Sequence, residues 1–181
     1  KKVLATVALV AVIAGMLGGT AVGKKNYFLR KLNGSEPVVR VDNDKNKCQN
    51  SELQNAYYII EQELDIPVLK LGYYPPQLVF ESVDIYYDEA QIKFKYEDNL
   101  VNFFQIKKER SASAHYESDR ITIGKVYNEW LGKEIPYSAN SLDDGNVEYE
   151  ALIMNGDTCY YIAGIIPENE YKKILEFLNF Y

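Results

Sequence analysis

Side chains that could do chemistry are sparse in this 181-residue chain. His115 is the single histidine, set in the polar stretch from Glu109 to Asp119 with Ser111 and Ser113 close by. A serine nucleophile and a histidine base must meet on a rigid framework to work together. A serine-rich turn offers little of that, and the chain has no Gly-x-Ser-x-Gly elbow. The expectation is a solvent-exposed loop histidine and no catalytic residue. One histidine and two distant cysteines cannot build a zinc site unaided. Asp143-Asp144-Gly145-Asn146 lacks the alternating ligands and closing glutamate of a calcium loop, so it reads as an acidic turn. No glycine loop is present to cradle a phosphate. No metal, cofactor or catalytic site is therefore expected.

Two features remain. Cys48 and Cys159 are the only cysteines, a pair that would be either a disulfide in an exported domain or two thiols. A bridge would close a loop of about a hundred residues, adding around 4 to 5 kcal/mol in the chain-entropy picture. The second feature is tyrosine: sixteen of them, paired at Tyr57-Tyr58, Tyr73-Tyr74, Tyr86-Tyr87 and Tyr160-Tyr161. Neighbours in a strand face opposite ways, so one of each pair is expected outward. Tyr73, Tyr74, Tyr86 and Tyr160 are the candidate binding surface for a protein, peptide or wall-polymer ligand. A net charge of −6 argues against nucleic acid.

The elements that would carry these residues are legible from periodicity. Residues 3–22 hold no charge and, at about 1.5 Å per residue, reach across a bilayer core. They read as a transmembrane anchor, or as a signal peptide cleaved at Ala21-Val22-Gly23. Residues 1–23 form that segment, 24–50 a basic tether, and 51–181 an extracytoplasmic domain. Ser51 and Gln54 suggest a capping box that opens a helix along Leu53, Ala56, Tyr57, Ile60 and Leu64. Asp65-Ile66-Pro67 stops it. Alternation over Val83 to Tyr87, Ile92 to Tyr96, Leu100 to Lys107, Ile121 to Trp130, Glu134 to Tyr137, Val147 to Met154 and Thr158 to Ile166 predicts strands. Glu97-Asp98-Asn99 and Asn155-Gly156-Asp157 are hairpin turns. Pro167 opens a closing helix with the apolar stripe Tyr171, Ile174, Leu175 and Leu178. The predicted class is α+β: an antiparallel sheet of about six strands flanked by an N-terminal and a C-terminal helix.

Pro67 ahead of Gly72-Tyr73, the strand from Ala90 to Tyr96 and the run from Asn155 through Tyr160-Tyr161 to Gly164 carry a resemblance. Over about residues 66–178 the chain resembles an uncharacterised extracytoplasmic domain of Gram-positive membrane proteins. That domain is often found behind an anti-sigma-factor-like segment and one transmembrane helix. Such domains often carry a tryptophan before the Asn-Gly turn, where this chain has Leu152 and Ile153. The resemblance implies a membrane-tethered sensing or regulatory domain, and it supplies no catalytic residue. A secreted or wall-associated binding protein is the alternative, and an envelope hydrolase a weaker one.

Overall fold

Period-two alternation becomes strands, and apolar stripes become helices laid on one side of them. A computed structural model describes residues 39–42, 49–107 and 121–181, with backbone alone for 39–42 and 49–50. In chain order the elements are β1 (Val39–Asp42), α1 (Gln49–Leu64), β2 (Lys70–Leu71), β3 (Leu78–Ile85), β4 (Glu89–Tyr96) and β5 (Asn99–Lys107). Then come β6 (Thr122–Asn128), β7 (Lys133–Ser141), β8 (Val147–Asn155), β9 (Thr158–Ile165), α2 (Glu168–Glu176) and β10 (Leu178–Asn179). The class is α+β, as expected. Strands β3 to β9 make one antiparallel sheet, and β1 extends it along the outer edge of β3.

The strand order is β1-β3-β4-β5-β9-β8-β7-β6. Two antiparallel runs, β3 to β5 and β6 to β9, are joined edge to edge by β5 and β9. Strand β9 is therefore interior to the sheet, which explains why Thr158 to Gly164 is buried on both faces. Both helices lie on the same face. Leu53, Ala56, Tyr57 and Ile60 of α1 and Tyr171, Ile174 and Leu175 of α2 join Phe80, Ile92, Phe94, Phe103, Ile153 and Ile162 in one core. On the opposite face Phe104, Ile106, Cys159, Tyr161 and Ala163 form a second buried cluster, with Leu152 packed against it.

Local chemistry explains the boundaries. Helix α1 begins at Gln49, so Ser51 sits inside the first turn and is not the cap that the Ser-x-x-Gln pattern suggested. It ends because Asp65 takes a φ of 50° and closes a bond from its N–H to the Glu61 carbonyl. Gly156 supplies the φ of 56° that the β8–β9 hairpin needs. Pro167 stands just before α2, and its carbonyl accepts the N–H groups of Glu170 and Tyr171. Residues 39–42 fall within the expected tether, yet they belong to the sheet through pairing with β3.

Polar clamps fix the connections to this frame. Gln105 is wholly buried, accepts from the Leu69 N–H at 3.0 Å and donates to its carbonyl at 2.8 Å. That amide acts as a strand partner for a segment too short to pair by itself. Asn128, also wholly buried, donates to the carbonyls of Leu175 and Leu178 at 2.7 and 2.9 Å and accepts from Leu131 N–H at 2.8 Å. It satisfies carbonyls left over at the end of α2.

Candidate binding surface

The structure separates the four tyrosines singled out in the sequence. Tyr160 is fully buried: its hydroxyl donates to the Pro67 carbonyl and its ring meets Phe180 edge-on at 5.8 Å. Burial pushes its pKa up to about 12. It is a core residue and no part of a surface, because β9 is covered on both sides. Tyr73 donates to Glu170 at 2.6 Å, beneath Lys173 at 5.3 Å from its ring centre. Tyr74, partly exposed, lines a cavity of about 310 Å³ with Leu53, Pro75, Pro76, Leu78, Phe80 and Phe94. Tyr86 lies at the β3–β4 turn, where its N–H donates to the Glu89 carbonyl. These positions do not converge. Cys159 is wholly buried on β9, while Cys48, His115, Ser111, Ser113 and residues 3–22 lie outside the described residues.

Helix α2 is held by two similar clasps. Tyr137 donates to Glu168 at 2.7 Å, with Lys172 5.7 Å from its ring centre and 2.8 Å from the Glu168 carboxylate. Tyr73, Glu170 and Lys173 repeat the arrangement one step along. The Lys172 and Tyr137 hydrogen bonds hold the Glu168 carboxyl below its ordinary value of 4.5. Those of Tyr73 and Lys173 do the same for Glu170. Carboxyls depressed by folding contribute stability above their unfolded pKa and lose it as pH falls through the folded one. Thermal stability is therefore expected to drop below about pH 4.5. Tyr73→Phe combined with Tyr137→Phe should flatten that drop. An unchanged melting profile between pH 3 and 5 in the double variant would show that the clasps contribute nothing.

The exposed aromatic surface lies elsewhere, along the free edge of the sheet. Among the described residues strand β6 pairs only with β7, and it presents Ile123 and Tyr127 at 51% and 58% exposure. Trp130 follows in the turn at 59% exposure, with the ring of Tyr181 at 6.3 Å. Ile121 precedes the strand and is also exposed. An irregular register between Thr122 and Gly124, and the Lys125–Glu134 ion pair at 3.2 Å, interrupt the edge. Such devices discourage indiscriminate strand pairing. What remains exposed are large side chains of the kind protein interfaces favour: Trp130 lies against Tyr181, and Tyr127 is on the face of β6 opposite Val126, which packs on the core. The tyrosine pairs of the sequence do not point to these rings, because Tyr127, Trp130 and Tyr181 stand outside every pair and Tyr181 meets Trp130 only by folding.

Among the described residues, no group of three His, Cys, Asp or Glu is placed to hold a metal ion. None of their helices is long and apolar enough to cross a membrane. No family model matches the chain, and no curated protein or solved structure matches it significantly.

Proposed function

We propose that the chain is a non-catalytic binding or sensing domain, held outside the cell membrane by residues 3–22, that contacts a partner protein through Tyr127, Trp130 and Tyr181. The exposure of these three rings at one end of the sheet carries the reading. Rings of this size anchor interfaces because they bury much area while losing few rotamers. The twenty uncharged residues 3–22 support the tether. The small-x-small triplet Ala21-Val22-Gly23 favours a second reading, in which the same domain is released.

A photo-activated cross-linker at Tyr127 of the full chain, in the cells that make it, is expected to give one discrete heavier species. Trp130→Ala should reduce that species about tenfold or more while leaving the melting temperature unchanged. A cross-linker at exposed Glu61 on α1 is the control. Equal adducts from both positions would sink the interface, and a smear that collapses on wall digestion would mean a wall polymer instead. The intact mass of the same chain separates the two locations: loss of residues 1–23 leaves the released form.

A further inference from the structure

We propose that the cavity beside Tyr74 binds a small amphiphilic molecule: one aromatic or aliphatic ring that carries a carbonyl or similar hydrogen-bond acceptor. The site begins with two prolines. Pro75 and Pro76 offer no N–H to a neighbouring strand, and they bring the chain into β3 through a turn closed by the Leu78 N–H on the Pro75 carbonyl at 2.9 Å. Phe80 and Phe94 lie opposite each other on β3 and β4, on the helix face of the sheet, with their rings edge to face at 6.0 Å. Leu53 of α1 and Leu78 complete the wall, and the space between them is about 310 Å³.

Interiors seldom leave voids larger than one water. This one has room for about ten, at roughly 30 Å³ each. A well-held water needs about two to four polar partners. The lining side chains are apolar except for Tyr74, so such partners come only from its hydroxyl and from backbone groups. Water against Phe80 and Phe94 is therefore poorly held, and an apolar ring that displaces it gains affinity. An apolar cavity of about 150 Å³ takes benzene. Twice that space admits a ring with a short substituent.

One proton selects the substituent. The Tyr57 hydroxyl accepts the Leu71 N–H at 3.1 Å and turns its own proton to the Tyr74 oxygen. Among the described residues nothing takes the Tyr74 proton in turn. Burial raises the pKa of this phenol, so it stays a donor at neutral pH. At 37% exposure Tyr74 stands where the cavity meets solvent. Because Tyr57 is itself wholly packed in the core, the donor is positioned before a ligand arrives. The site is separate from the exposed rings around Trp130: β4 and β6 are five strand spacings apart, about 24 Å.

Acetophenone and α-methylstyrene have nearly the same shape, but only the first carries an acceptor. Each is titrated into the full chain in detergent and followed by the methyl signals of Leu53 and Leu78. Both probes are expected to shift these methyls saturably. Tyr74→Phe keeps the ring and removes the proton. It should weaken acetophenone about threefold to tenfold, the worth of one neutral hydrogen bond, and leave α-methylstyrene unchanged. Comparing variant with parent cancels the partition of each probe into micelles. No saturable shift at either methyl, or shifts centred on Trp130 instead, would overturn the site. Equal loss for both probes, or no loss for the ketone, would overturn the role given to Tyr74 and the ligand class with it.

Discussion

Asn128→Asp is expected to destabilise the domain more than Asn128→Ala, although aspartate is nearly the same shape. The native amide gives both its N–H bonds to the carbonyls of Leu175 and Leu178 and takes one from Leu131, at zero exposure. Alanine leaves three backbone groups short of a partner, and each buried group left unsatisfied costs about 1 to 3 kcal/mol before water or relaxation recovers part. A loss of roughly 3 kcal/mol is expected. Aspartate keeps the acceptor for Leu131 but turns carboxylate oxygen toward two carbonyl oxygens. It must then remain charged in a buried site or take up a proton. A loss of about 4 kcal/mol or more follows at pH 7.

The pH dependence separates the two causes. A carboxyl whose folded pKa lies above its unfolded value destabilises fully at high pH and less as it protonates. The aspartate variant should therefore recover stability between pH 7 and 5, where the alanine variant does not. Urea unfolding at the two pH values reads this directly, with equal slopes marking equal unfolding. An aspartate variant as stable as the native chain at pH 7 would mean that the amide does not hold the end of α2.

Asn128 also shows where sequence reading stops. It ends a strand whose alternation was clear, but nothing near it in sequence signals that its amide serves Leu175 and Leu178, some fifty residues on. Period-two patterns reveal a strand because alternation is written locally. They carry no partner. The seven long strands and both helices were legible on that basis, including the hairpin at Gly156 and the buried stripe of α2. Strand neighbours were not, since reading consecutive strands as neighbours places β6 beside β5. The one available hint was β9 itself, whose unbroken run Cys159 to Ile162 marks a strand covered on both faces. Residues 39–42 read as tether for a related reason: four residues among many charges have too short a period to register.

The candidate surface was less legible than the fold. Tyrosines chosen by adjacency in sequence do not form one exposed surface, because adjacency says only that two rings face apart. Whether the outward ring meets solvent depends on what covers each face. In β9 both faces are covered, so Tyr160 and Tyr161 are both buried. In α1 one side is open, so Tyr57 is buried and Tyr58 is exposed. Trp130 in the turn after β6 meets Tyr181 because Asn128 ties that turn to the carbonyls of Leu175 and Leu178, a juxtaposition that no local pattern records.

The join between the two strand runs yields the other large effect. Gly164 of β9 lies opposite Val101 of β5, and a Cβ there would stand 2.7 Å from Val101 Cγ2, 2.8 Å from its Cα and 2.9 Å from its Cβ. No real Cβ tolerates such distances, and one of the three atoms is backbone. Gly164→Ala must therefore push β5 and β9 apart, at the only pairing among the described strands that links β3–β5 to β6–β9. Overpacking in a core costs typically 1 to 3 kcal/mol, and backbone displacement at a sheet centre places this site at about 3 or above. For a domain of this size that is a fall in melting temperature of roughly 10 °C. Trimming the neighbour tests the cause. Val101→Ala removes the Cγ2 contact but leaves Cα and Cβ in place, so the double variant should recover only a minor part. Full recovery would mean that the valine methyl alone was the obstacle. It would also mean that the two halves of the sheet can yield at their seam without strain. No loss in the single variant would mean the same of the backbone.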